Sequence, residues 1–197
     1  MIVAFDLSGV FFNNGMKIAV AEISRAYNLN PKDVEFVLDG SFARKYRTGL
    51  ESPEAYWRRA KERLKAGDIG RIRGIFFNSY HPHRKTITFI EKLRKKGIKT
   101  AYISNNPEDR TIYLDRKFSF LSLFDFGLCS FEAHVWKPEK EIYRKFLEKF
   151  SLRPDQVIYI DDKEDNLGPA AGLGMKTILF RDIGQLEEDL KKAGLKF

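Results

Sequence analysis

Cysteine occurs once in 197 residues, so no internal disulfide and no cysteine-based zinc site is available. Cys129 stands in a strand-like stretch and reads as a buried structural thiol. No apolar run approaches the ~20 residues that cross a bilayer. An acidic residue stands already at position 6, which leaves no secretory signal, and a soluble, cytoplasmic chain is expected. Internal repeats and low-complexity segments are also missing. What is present suffices for a core: hydrophobic residues make up 43% of the chain, which excludes disorder, and the length fits one domain or one domain with an insertion. Acidic residues are outnumbered, 27 against 35 basic, for a net charge of +8. The basic residues are spread through Arg58, Arg59, Lys61, Arg63, Lys65 and Arg94, Lys95, Lys96 rather than gathered in one arm. Each set fits the wet side of an amphipathic helix, so solvated faces are the expected reading, and the charge alone does not choose between nucleic acid and a small anionic substrate.

Four short apolar runs end in polar residues: Ile2 to Phe5 before Asp6, Ala101 to Ile103 before Ser104, Val157 to Ile160 before Asp161, and Thr177 to Phe180 before Arg181. Short continuous runs of this kind read as parallel strands covered on both faces. Helical patterns lie between them. Residues 83 to 96 place Ile87, Ile90 and Leu93 on one side and stop at Gly97, and Pro138 opens a pattern with Ile142, Phe146 and Phe150 four apart. Alternating strand and helix implies a doubly wound, Rossmann-like α/β sheet.

Residues 13 to 78 break the alternation, with several helical segments and no convincing buried strand. Val34, Val37 and Leu38 form one stripe; Ser52 and Pro53 supply a cap and first turn for another with Tyr56, Ala60 and Leu64. The expected division is a core of residues 1–12 and 79–197 and an inserted helical cap of 13–78. An insertion leaving after the first strand sits over the carboxyl ends of the strands, where open α/β sheets bind ligands. Asp6, Ser104, Asp161 and Asp162 converge on that edge in this arrangement, and Lys137 follows the next crossover. Each alone is an ordinary cap, turn or surface charge; their convergence is the signal.

The ordered segments Phe5-Asp-Leu-Ser-Gly-Val10, Ile103-Ser-Asn-Asn106, Lys137-Pro-Glu-Lys-Glu-Ile-Tyr143 and Ile160-Asp-Asp-Lys-Glu-Asp-Asn166, with Ala170, Ala171 and Gly174 behind them, resemble the haloacid dehalogenase superfamily. The resemblance spans almost the whole chain and points to the branch whose helical cap is inserted after the first motif. The stretch from Asp161 to Phe180 is most similar to its sugar-phosphate phosphatases, including the bacterial alpha-glucose-1-phosphate phosphatases. The resemblance implies a magnesium-dependent hydrolase of a small phosphorylated metabolite. Asp6 would attack phosphorus and form an aspartyl phosphate that water hydrolyses. Magnesium would be held by the carboxylates of Asp6 and Asp162 and the backbone carbonyl of Ser8, with Asp161 nearby; hard oxygen ligands suit this ion. Metal and Lys137 would offset the repulsion between a carboxylate and a phosphate dianion. Ser104 and the Asn105 amide would hold phosphate oxygens, and Asn166 would orient the acidic loop.

One position departs from the pattern. Most phosphatases of this superfamily carry a second Asp two residues after the nucleophile as acid and base, and here that residue is Ser8. Losing that proton transfer removes roughly 10²–10⁴ in rate. Three readings stay open: a substrate that leaves easily, such as an anomeric or acyl phosphate; a substitute acid, with His81, His83 or a cap carboxylate as candidates; or a reaction other than ester hydrolysis. Phosphatases of the glucose-1-phosphate group also lack a carboxylate here, which favours activity. A contrasting reading is a non-catalytic protein that keeps the fold and binds RNA or another anionic partner; Asp6, Lys137 and Asp162 argue against it and Ser8 for it. Specificity is expected from side chains near Arg44, Lys45, Tyr46 and Arg47, before a turn at Gly49. No feature specifies an oligomeric state.

Overall fold

The computed structural model describes residues 1–197. Its centre is a five-stranded, wholly parallel sheet in the order β3-β2-β1-β4-β5, formed by β1 (Ile2–Phe5), β2 (Lys99–Ser104), β3 (Phe126–Cys129), β4 (Val157–Asp161) and β5 (Lys176–Leu179). β1 and β4 are buried along their whole length, as strands covered on both faces must be. The order has one functional consequence: the carboxyl ends of β2, β1 and β4 are neighbours, so Ser104, Asp6 and Asp161 stand side by side. The backbone N–H of Asp6 donates to the Ile160 carbonyl at 2.8 Å, which carries this pairing one residue past β1.

β3 is the strand that no continuous apolar run announced. It is four residues long and contains Gly127, where a Cβ would overlap the Tyr102 ring of β2; glycine is there to let that ring lie against the backbone. The helix expected to open at Pro138 starts later. It runs Lys140–Lys149, because Glu139, with extended backbone, is the residue from which the helix departs.

Between β1 and β2 the chain is helical: α1 (Gly15–Tyr27), α2 (Pro31–Leu38), α3 (Arg44–Arg47), α4 (Pro53–Leu64), α5 (Ile69–Asn78) and α6 (Arg84–Lys95). Local signals set these boundaries. Asn30 and Ser52 accept from the backbone N–H groups of Lys32 and Ala55, with Pro31 and Pro53 at the first helical positions. The way out and the way back are clasped together. Asn13 donates from Nδ2 to the Ser79 carbonyl and accepts from His81 N–H, and the His83 N–H donates to the Phe11 carbonyl at 2.8 Å.

The remaining helices are α7 (Glu108–Phe118), α8 (Ser130–Ala133), α9 (Lys140–Lys149), α10 (Glu164–Ala171) and α11 (Ile183–Lys192). The segment before α6 is fastened over the sheet edge by α7. Asp109 takes the Tyr46 hydroxyl at 2.6 Å, the Trp57 indole N–H at 3.2 Å and Arg73 at 3.0 Å, while Arg110 donates to the Tyr80 hydroxyl at 2.9 Å. Tyr46 stacks on Tyr56 with ring centroids 3.9 Å apart, and Trp57 packs edge-on against both. Each such aromatic pair contributes about 0.5–1.5 kcal/mol beyond area burial. One apolar cluster passes without a break from Phe5 and Ile160 through Phe11 and Phe12 to Trp57, Phe76 and Tyr80. No helix is long and apolar enough to cross a membrane.

Candidate active site

A small cavity of about 80 Å³ opens at the carboxyl edge of β1, β2 and β4, with mainly polar walls. Asp6, Ser8, Ser104, Asn105, Lys137, Asp162, Lys163 and Asn166 line it from the sheet side; Asn14, Met16, Asp39, Arg47 and Tyr80 line it from the helical side. Residues from widely separated segments of the sequence therefore share one space. Asp161 lies beneath its floor, fully buried.

Lys137 is the hub. Its Nζ donates to Asp6 Oδ1 at 2.6 Å, to Asp161 Oδ2 at 2.8 Å and to the Tyr159 hydroxyl at 2.9 Å. Burial alone pushes the ammonium down, but Asp161 and Asp6 outweigh that and hold it above the ordinary lysine range. Asn105 positions the lysine backbone from both sides, accepting from the Lys137 N–H at 2.7 Å and donating to its carbonyl at 2.9 Å. The Asn105 side chain is thereby committed.

The three acids occupy different environments. Asp6 is desolvated, and although Lys137 pulls it down, burial and the neighbouring carboxylate of Asp161 push it up to about 7. Asp161 is desolvated as well, yet Lys137 and the donors around it hold its carboxyl below the usual range. Those donors are Asn166 Nδ2, 3.0 Å from both oxygens, the Lys163 N–H at 2.9 Å and the Tyr159 hydroxyl. Asp162 is half-buried and raised, by burial first and by Asp161 second. Its Oδ1 is buried and has no hydrogen-bond partner. Ligand oxygens of Asp6, Asp161 and Asp162 all lie within 4.8 Å of one another.

The expected substitute acids do not fall together. His81 and His83 are exposed and outside the cavity wall; His81 packs edge-on against Phe118, and His83 precedes α6. A carboxylate from the helical segment does reach the wall: Asp39, paired with Arg47. Of the four residues expected near the specificity turn, Arg47 alone lines the cavity. Arg44 and Lys45 are exposed, and Tyr46 is buried against Asp109.

Tyr159 was missed because it sits inside an apolar run and reads as core. The signal was nevertheless available, since positions 159 and 161 of a strand share a face and Asp161 is polar. Arg110 was missed for the opposite reason: it sits among charged residues at the start of α7 and reads as surface, yet its side chain is buried against Asn106, Tyr80 and the Asn105 carbonyl.

A family model described as haloacid dehalogenase-like hydrolase matches residues 1–174. Bifunctional epoxide hydrolase 2 of Rattus norvegicus is 35% identical over 104 residues, 51% of this chain and only 19% of that protein's length. Glyceraldehyde 3-phosphate phosphatase of Pyrococcus furiosus is 30% identical over 115 residues, covering 55% of this chain and 44% of that protein. Among solved structures, a HAD family enzyme of Bacteroides thetaiotaomicron in complex with magnesium and inorganic phosphate superposes with a TM-score of 0.77. That match is 20% identical and covers 94% of this chain and 98% of the other, a likeness of fold.

Proposed function

The chain belongs to the haloacid dehalogenase-like hydrolases, and we propose that it is a magnesium-dependent phosphatase of a small phosphorylated metabolite, sugar phosphates included, with Asp6 as nucleophile. Residues 1–12 and 79–197 act as the catalytic core in this reading, and residues 13–78 as a cap over its edge. The observation that carries the proposal is the meeting of Asp6, Lys137 and Asp162 in one polar cavity. The phosphatase named in Pyrococcus furiosus and the phosphate-bound structure from Bacteroides thetaiotaomicron point the same way.

The acids present fit a divalent ion. Asp162 offers a buried oxygen with no partner, and Asp6 offers a desolvated carboxylate whose raised pKa shows that its negative charge is undercompensated. Asp161 is already saturated by its four donors, so Asp6, Asp162 and the Ser8 carbonyl would hold magnesium, with Asp161 behind them. Bound there, the ion supplies charge neutralisation for an incoming phosphate.

The chain's own groups account for the rest. Lys137 fixes Oδ1 of Asp6 and leaves the other carboxylate oxygen to form the bond to phosphorus while the ester oxygen departs. Water then cleaves the acyl phosphate at phosphorus and restores the carboxylate. Ser104 and the backbone amide of Asn105 would hold phosphate oxygens, since the Asn105 side chain is occupied by Lys137. Asp161, held by Asn166 and Tyr159, positions the lysine. The test is phosphate release from a panel of sugar and aryl phosphates with and without magnesium; release indifferent to magnesium on every ester contradicts the proposal.

Two substitutions probe the acid loop. Gly9 has a φ of +91°, and a Cβ there would overlap the Asp162 carboxylate. Gly9→Ala therefore displaces Asp162 and strains the backbone by about 1–3 kcal/mol. A lower melting temperature and weaker calorimetric magnesium binding are expected together; unaltered magnesium affinity contradicts the role of Asp162. Ser8→Asp restores a carboxylate to the cavity wall. It raises turnover on alkyl phosphates, whose alkoxides leave poorly, by at least about tenfold, and does little for aryl phosphates. Equal gains on both classes contradict the account of proton transfer.

A further inference from the structure

Given a phosphate ester in this cavity, the two ends of the site differ in charge. Lys137 is committed to Asp6 and Asp161, and Lys163 stands on the sheet side next to Asp162, so the cation that the helical segment contributes to the wall is Arg47. Arg47 is buried. It donates from one terminal nitrogen to the Asn105 carbonyl at 2.8 Å, ion-pairs with Asp39 through the other, and its Nε is buried with no partner. Burial and the nearby Arg110 push its pKa down to about 10, which leaves it cationic at neutral pH. A guanidinium alone in such a wall binds a second carboxylate or phosphate on the ligand.

Asp39 stands in the way of that. It is the C-cap of α2, at the negative end of the helix dipole, where a carboxylate is disfavoured. Its side chain is 34% exposed, so core packing does not explain it either. What Asp39 does have is Arg47 and a place on the cavity wall.

We propose that Asp39 is a specificity-determining residue: by neutralising Arg47, it selects phosphate esters whose leaving group is small, hydroxylated and uncharged, and rejects those that carry a second anionic group. The carboxylate accepts from a leaving-group hydroxyl, and Arg47 donates to one. A carboxylate or second phosphate at that place meets Asp39 at close range, and the charge of the arginine is already offset.

The inference rests on the phosphatase reading, and a matched pair of ligands separates the two. Glycerol 3-phosphate and 3-phosphoglycerate differ in carrying a hydroxymethyl or a carboxylate group. Their dissociation constants are measured calorimetrically with magnesium on Asp6→Asn protein, with and without Asp39→Asn and Asp39→Glu. Asp39→Asn is expected to move the affinity ratio toward 3-phosphoglycerate by roughly ten- to a hundredfold, chiefly through tighter binding of the anionic ligand. Asp39→Glu, which keeps the charge, leaves the ratio near that of the parent. Asp39→Ser carries the same readout if melting shows that the asparagine variant does not fold. An unchanged ratio in the uncharged variant overturns the role of Asp39. Normal binding selectivity in the Asp6→Asn protein, with no turnover of any ester by the protein that retains Asp6, overturns the phosphatase reading alone, and failure of both ligands to bind overturns both.

Discussion

Asp6→Asn abolishes magnesium-dependent phosphate release, with a loss on the order of 10⁴-fold or more, because an amide in the same position has no nucleophilic oxygen to form the covalent intermediate. The fold survives the change, which separates this prediction from a trivial loss of structure. Asparagine has the shape of a protonated aspartate, and Asp6 with a pKa of about 7 binds its proton far more tightly than the 3.8 of an ordinary aspartate. Between those two values the folded state holds more protons than the unfolded one, so stability falls as pH rises through that window. The penalty is complete above about pH 7 and absent below about pH 4. Asparagine carries no such penalty. In the presence of a chelator the variant therefore melts above the parent at pH 8 and by a smaller margin at pH 5. Turnover equal to the parent's, measured by phosphate release, rejects Asp6 as nucleophile; a melting difference that does not depend on pH rejects the account of its burial.

Lys137→Met has the second largest effect, and it acts on stability and activity together. The side chain is buried and touches two carboxylates and a phenol, so methionine fills much of the space and leaves Asp6 and Asp161 facing each other without a cation. Breaking a buried pair by removing one partner costs about 3–5 kcal/mol. Phosphate release should drop by at least about 10²-fold, since the lysine both screens the approach of the phosphate and fixes the nucleophile. Lys137→Arg separates the two contributions. It restores charge and recovers part of the melting temperature, but a planar fork does not reproduce three bonds radiating from one nitrogen, and activity stays low. Full activity in the arginine variant contradicts the positioning role.

Much of the fold was legible because parallel strands buried on both faces leave short, uninterrupted apolar runs. β1 and β4 are read that way, and the polar residue ending each is where the site forms. β3 showed only as the strand-like stretch around Cys129, because it is short and broken by Gly127, whose reason is the Tyr102 ring across the strand pair, a contact that spacing along the chain does not encode. The same limit governs the site. Asp6, Lys137, Asp161 and Asp162 announce themselves by ending strands or crossovers, but the pairing of Asp39 with Arg47 joins the end of one short helix to the end of another. The histidines failed as substitute acids for a related reason: His81 lies in the backbone clasp between Asn13 and Ser79, and His83 at the head of α6, which turns both away from the cavity.

The covalent intermediate is the claim on which the mechanism stands, and trapping it is the direct test. Protein is mixed with magnesium and the best substrate of the panel, quenched in acid during turnover, digested and examined by mass spectrometry. One phosphoryl group on the N-terminal peptide that contains Asp6, absent from the Asp6→Asn protein, is the predicted result. A phosphoryl group found on a peptide without Asp6 contradicts it.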